Sequence, residues 1–331
     1  MNVQLISFSE RGEALARRLA ERLGGEAMRC GQPESLQVWT ERRFHTAEGL
    51  IFVGAAGIAV RAIAPYVTSK AQDPAVVVVD ETGMFAISLL SGHLGGANEL
   101  AQRVAELCGA TPVITTATDR NGVFAVDSWA RMQGCTVRNP HEIRRISARL
   151  LAGEAIKIRS DWPIAGEIPK GIQLTQGQDC DVLVSIHTAK QDALHLVPRI
   201  AVLGVGCKKG IGQVTIEAAF REICAKDGLT EEAFAMVCSV DRKAKEPGLL
   251  AFCQAHGLSL QTYTAEQLQT AVGDFSSSAF VQQIIGVDNV CERSAVLGSG
   301  GILYRKKQTG NGVTMAVALR PFDPDWRWRY E

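Results

Sequence analysis

At 331 residues the chain exceeds one ordinary core and predicts two or three domains. Hydrophobic residues make up 46% and charged residues 21%, and 35 Lys and Arg balance 35 Asp and Glu. That composition excludes a disordered or fibrous chain and argues against duplex nucleic acid, which needs a basic excess. In chain order, residues 3–8 predict a strand. Ser9 caps a helix whose Ala14, Leu15, Leu19 and Leu23 recur at helical spacing, and Gly24-Gly25 ends it. A strand over 27–30 and a loop with Pro33 precede the apolar run 50–53, which leads through Gly54-Ala55-Ala56-Gly57 into a helix carrying Ile58, Val60, Arg61 and Ile63. After the turn at Asp73-Pro74, the valine run 75–79 reads as a strand buried on both faces. Residues 80–83 connect to a strand over 84–90, followed by the turn Ser91-Gly92-His93-Leu94-Gly95-Gly96-Ala97-Asn98 and a helix over 99–107. A strand over 112–116 ends in Thr115-Thr116-Ala117-Thr118-Asp119. This βαβ grammar predicts an α/β fold with an open, mostly parallel sheet in an N-terminal domain over 1–132.

A small α/β middle unit is expected over 133–196. It has strands at 135–137, 155–158 and 181–186, a helix over 141–151 capped by Asn139-Pro140, and a turn-rich tract over 160–179. Residues 189–198 read as the linker to a separate α/β C-terminal domain over 197–331. That domain opens with a strand over 200–205 and the glycines of Gly204-Val205-Gly206-Cys207-Lys208-Lys209-Gly210. It closes with strands over 302–307 and 313–319 around Thr309-Gly310-Asn311-Gly312, a hairpin signal.

Nine cysteines with no C-x-x-C spacing point away from structural disulfides and metal sites. The N-terminus lacks the apolar core of a signal peptide, and no apolar run approaches the roughly 20 residues of a membrane span, so a reducing cytoplasm is expected. The strand over 3–8 leads into Ser9-Glu10-Arg11-Gly12 rather than G-x-G-x-x-G, and no phosphate-loop motif occurs. A nicotinamide or nucleotide enzyme is therefore disfavoured.

In an open α/β sheet, strand carboxyl ends line the ligand crevice, and helix starts offer free N–H groups there. His93 between glycines is placed to move protons, with a structural histidine as the bland alternative. Glu81, after Asp80, reads as a carboxylate base or a solvated turn. Thr115, Thr116, Thr118 and Asp119 read as ligand contacts or as turn and cap residues. Arg61 and Lys70 suit ligand carboxylates or a solvated face, and Cys207 has the setting of an activated thiol beside Lys208 and Lys209, while the absence of a histidine near it in sequence favours a non-nucleophilic role.

These stretches resemble the cobalt-precorrin-5A hydrolase family of anaerobic cobalamin biosynthesis, nearly end to end. The resemblance rests on the runs 52–61, 73–78, 91–98 and 112–119, on 204–210, on Asp241-Arg242-Lys243-Ala244-Lys245-Glu246-Pro247-Gly248-Leu249, and on Gly286-Val287 with Val290 and Glu292. Where the family usually shows Cys-Arg-Arg, this chain has Cys207-Lys208-Lys209, which keeps the charge and loses the bidentate fork. The resemblance implies a polycarboxylate tetrapyrrole substrate that carries its own cobalt, and no other cofactor. The implied reaction opens a δ-lactone on the ring A acetate and expels a methylated meso carbon as acetaldehyde. A non-catalytic tetrapyrrole carrier is the alternative, and neighbouring pathway enzymes are the expected partners beside the substrate, with no nucleic acid and no membrane.

On this reading His93, Glu81 and Asp119 are the expected catalytic residues. Gly54, Gly57, Arg61, Lys70, Ser91, Gly95, Gly96, Asn98, Thr115, Thr116 and Thr118 are the expected substrate contacts of the first half. Cys207, Lys208, Lys209, Lys243 and Glu292 are those of the second. Arg61 and Lys70 are expected to face Lys208, Lys209 and Lys243 across an interdomain cleft.

Overall fold

The computed structural model describes residues 2–69, 72–117, 121–189, 192–277, 283 and 286–328. Lys70, Thr118 and Asp119 lie outside the described residues. Three sheets organise the chain, as the α/β reading expects.

The first sheet has six strands in the order β2-β1-β3-β4-β5-β6. They are β1 (Val3–Ser7), β2 (Glu26–Arg29), β3 (Gly49–Val53), β4 (Ala75–Val79), β5 (Phe85–Leu90) and β6 (Thr111–Val113). Helices α1 (Glu10–Leu23) and α4 (Ala97–Cys108) cover one face, packing on Leu5, Ile51, Val77 and Val79. The other face, with Ile6, Phe52, Val76 and Val78, is covered by α2 (Leu36–Arg43) and α3 (Ala56–Ile63). Alternate valines of β4 thus serve opposite cores, which is why the run is continuously apolar. Ser9 caps α1 by accepting from Gly12 N at 3.1 Å, and Gly24 ends it with φ 68.

Strands β2, β1, β3 and β4 run parallel, but β5 is antiparallel to β4, with Val76 opposite Leu90 and Val79 opposite Ala86. Strand β6 follows β5 in parallel. The carboxyl ends of β5 and β6 therefore lie at the opposite edge from those of β1, β3 and β4. This reversal decides which predicted site residues can meet. Strand β6 also stops at Val113, short of the expected 116, pairing with β5 only from Phe85 to Ile87.

The middle sheet, β7-β11-β10-β8-β9, joins β7 (Cys135–Val137), β8 (Ile156–Ser160), β9 (Ile172–Leu174), β10 (Val182–Val184) and β11 (Leu194–Pro198). The expected linker over 189–198 is corrected here, since β11 is wholly buried and pairs with both β10 and β7. Its Leu-His-Leu-Val-Pro run holds apolar side chains on both faces. Asn139 does not cap the following helix. It donates to Ala193 O at 2.8 Å and accepts from His195 N at 2.8 Å, pinning β11 instead. Helices α5 (Val126–Met132) and α6 (Glu142–Leu151) supply the core of this unit, with Phe124, Val126, Trp129 and Ile146 packed against Ile156, Ile158 and Leu196. The middle core accordingly starts before residue 133.

The third sheet, β14-β13-β12-β16-β15, comprises β12 (Ala201–Cys207), β13 (Phe234–Val240), β14 (Ser259–Tyr263), β15 (Ile302–Gly310) and β16 (Val313–Leu319). Helices α7 (Gln213–Asp227) and α8 (Pro247–Ala255) fill one face through Phe220 and Phe252. The short α9 (Ala265–Gln269) follows β14, and α10 (Cys291–Ser299) lies on the opposite face of β12, where a Cβ on Gly204 would collide with the Cys291 carbonyl. The hairpin joins β15 to β16 with Asn311 at φ 50 and Gly312 at φ 79, as the Asn-Gly signal predicts. Among the described residues no helix is long and apolar enough to cross a membrane.

Candidate functional site

The edge formed by the carboxyl ends of β5 and β6 gathers His93, Ser91, Asn98 and Thr116. Ser88 Oγ donates to Asn98 Oδ1 at 2.7 Å, and Asn98 Nδ2 donates to Thr116 Oγ1 at 2.9 Å. Asn98 thus positions the segment after β6. Thr115 beside it is exposed. The expected open helix start is corrected: the turn consumes its own N–H groups. Gly96 N donates to His93 O, Ala97 N to Ser91 O and Asn98 N to Gly92 O, at 2.9–3.1 Å. A Cβ on Gly95 would strike Ser91, and one on Gly96 would strike the Arg131 guanidinium, so these glycines serve close packing rather than backbone approach to a ligand.

His93 Nδ1 lies 3.1 Å from Asp127 Oδ2, with side chains 10% and 13% exposed. Asp127 stands in the first turn of α5, and Arg131 one turn later pairs with Glu99 of α4. A carboxylate at Nδ1 orients the ring and stabilises the imidazolium formed when it takes up a proton. Ser91 adds an unusual feature. It is a non-glycine residue at φ 57, and its buried hydroxyl has no partner among the described residues.

The other edge holds Gly54, Gly57, Arg61 and Glu81. Glu81 is exposed and accepts from Ser9 Oγ at 2.6 Å, tying the β4 end to the cap of α1. Gly54 sits under the Phe8 ring. Exposed Arg61 turns its guanidinium back over Gly57. The five residues of β4 separate the two edges by roughly 13–16 Å at about 3.3 Å per residue, so Glu81 cannot share a reacting atom with His93. That expected catalytic pairing is corrected by strand sense.

In the third sheet, burial pushes the Cys207 thiol above its ordinary range, with Lys243 opposing, so the expected activated thiol is not formed. Lys243 is not open to substrate either. Its Nζ pairs with Glu246 Oε2 at 2.8 Å, and Glu246 Oε1 accepts from Gly210 N at 2.8 Å. Glu292, expected to touch substrate, is completely buried and accepts from Ser276 N, Ser276 Oγ and Lys307 N at 2.6–2.8 Å, a structural carboxylate. Lys208 and Lys209 remain exposed, the first with its stem over Gly312. A cavity of about 550 Å³ opens elsewhere, between the middle and third units, lined by Arg138, Thr230 and His256 among others and by none of the residues expected from sequence. Among the described residues no three His, Cys, Asp or Glu side chains converge as metal ligands.

Three family descriptions match in succession: "Cobalamin synthesis G N-terminal" over residues 38–119, "Cobalamin biosynthesis central region" over 124–198 and "Cobalamin synthesis G C-terminus" over 201–318. The cobalt-precorrin-5A hydrolase of Salmonella typhimurium is 31% identical, over 96% of this chain and 97% of that protein. The chain belongs to the cobalt-precorrin-5A hydrolase family. The Priestia megaterium cobalt-precorrin-5A hydrolase is also 31% identical, over 85% of this chain and 80% of its own length. A solved cobalamin biosynthesis protein G homologue from Sulfolobus solfataricus aligns over 97% of both chains at 22% identity with a TM-score of 0.44.

In this family member the His93–Asp127 pair bridges two family regions, since the N-terminal match ends at 119 and the central one begins at 124. Sequence reading missed Asp127, Arg131 and Glu246. The signal for Asp127 was its place in the run Asp127-Ser128-Trp129-Ala130, an acid at a helix start. Nothing in its spacing names His93 as its partner.

Proposed function

We propose that the chain hydrolyses the δ-lactone of cobalt-precorrin-5A and releases acetaldehyde, in the cytoplasm, with the cobalt arriving inside the substrate. The observation that carries the site assignment is the 3.1 Å approach of Asp127 to His93 Nδ1 at the joint between the first sheet and α5. His93 takes a proton from water as it adds to the lactone carbonyl, and the ring returns that proton to the departing oxygen. Opening leaves a carboxylate on the acetate and a hydroxyl on the methylated meso carbon. Removal of that hydroxyl proton forms the aldehyde C=O as the bond from the meso carbon to the macrocycle breaks, and the electron pair left on the ring carbon is taken up by the conjugated macrocycle and a proton, so that acetaldehyde departs. Ser91 supplies a substrate contact, because an unpaired buried hydroxyl costs about 1–3 kcal/mol and gains a partner when a carbonyl arrives. Exposed Arg61, Lys208 and Lys209 meet the substrate's carboxylates. All nine cysteines are free, a state that suits a reducing compartment.

The test is acetaldehyde release from the lactone substrate. His93→Ala and Asp127→Asn are expected to lower kcat by roughly 10²–10⁴, the usual worth of positioned acid–base catalysis, with KM little changed. Normal kcat in both variants would place the chemistry elsewhere.

A further inference from the structure

The segment that follows β16 leaves the third sheet and crosses to the middle unit. Ala165 N donates to Pro324 O at 2.8 Å, and Trp326 N donates to Ala165 O at 3.1 Å. There it meets α5, the helix that carries Asp127. Trp326 stacks on Trp129, with ring centroids 5.2 Å apart and planes 16° from parallel. Trp129 Nε1 donates to Asp325 O at 2.6 Å, and Asp325 N donates to Gln133 Oε1 at 3.0 Å. Gln133 Nε2 closes the clasp on Asp325 Oδ1 at 3.3 Å. The Asp325 carboxylate is itself held by Arg327 at 2.6 Å.

Helix α5 has only seven residues, too few to be stable or to choose its own position, so tertiary contacts set where it lies. Its two faces do different things. Asp127 and Arg131, four apart and therefore on one face, reach His93 and Glu99 of the N-terminal unit. Val126, Trp129 and Ala130 are buried in the middle core against Trp326. We propose that residues 324–327 are a positioning strap, in which Trp326, acting through Trp129, holds α5 where Asp127 meets His93. This rests on the reading of His93 and Asp127 as the acid–base pair. The indole N–H of Trp326 is buried without a partner among the described residues, so this ring works through its stacking face. A phenyl ring preserves that face.

The experiment is a double-mutant cycle on the full chain, read as kcat and KM for acetaldehyde release alongside urea unfolding. Trp326→Ala is expected to lower kcat by roughly 10–100-fold with KM within about 2-fold, since a displacement near 1 Å can cost that much. Trp326→Phe is expected to retain kcat within about 3-fold. In an Asp127→Asn background, Trp326→Ala is expected to cost less than about 2-fold, because the carboxylate it positions is gone. If Trp326→Ala does not fold, Trp129→Phe, which removes the bond to Asp325 O, takes its place in the same cycle with the same non-additivity expected. Full additivity, or Trp326→Phe as damaging as Trp326→Ala, overturns the strap while leaving the acid–base pair intact. A silent Asp127→Asn overturns both.

Discussion

At the scale of single residues, partners decide what a charged side chain can do. Lys243 and Glu246 were distinguishable in sequence only as a basic and an acidic residue near a proline, yet their ion pair removes the lysine from any substrate role and fixes Gly210. The Lys243 hydrogen bond, with the Gly210 N–H and Lys209, outweighs burial and holds the Glu246 carboxyl below its ordinary 4.5. A carboxyl with a depressed folded pKa contributes stability that is complete above about pH 4.5 and is lost as pH falls through the lower folded value. Glu246→Gln is therefore expected to reduce stability near neutral pH and to flatten its fall below pH 4.5, as urea midpoints measured from pH 7 downward will show. An unchanged acid slope would mean that the pair contributes nothing. Cys207 teaches the same lesson: lysines next to it in sequence do not activate a thiol that burial holds protonated.

At the scale of elements, periodicity located most strands but left α2, α5, α8, α9 and α10 unplaced, α2 lying in the stretch read as a loop around Pro33, and the misreadings have local causes. The linker expected over 189–198 fails because the second half of that segment is the strand β11, whose Leu194, Leu196 and Val197 are fully buried. Helix α10 carries Glu292 into the third unit, where its carboxylate ties the Ser276 loop to β15. Glu292→Ala leaves those donors unpaired in the interior. The expected loss is about 3 kcal/mol of unfolding free energy with KM for the substrate unaltered, checked by urea denaturation and steady-state kinetics. A raised KM with unchanged stability would restore Glu292 to the substrate site.

At the scale of the whole molecule, strand sense and the joint between units choose the site. Glu81 and His93 close opposite edges of one sheet, so Glu81→Gln is expected to keep kcat within about 2-fold where His93→Ala does not. Comparable losses in both variants would return Glu81 to the catalytic machinery. The reversal was legible: residues 80–84 between β4 and β5 are far fewer than the dozen or so that a parallel crossover needs. By itself the sequence determined the α/β class, the Asn311-Gly312 hairpin, the doubly buried valine strand and the glycine turn around His93, because each depends on neighbours a few residues apart. Only the tertiary structure decided that Asp127, 34 residues away, stands behind His93, that Glu81 does not, and that Trp326 braces the helix between them. Those pairings are set by how sheets dock and which way strands run, and the free energy that sets them comes from contacts that no local spacing encodes.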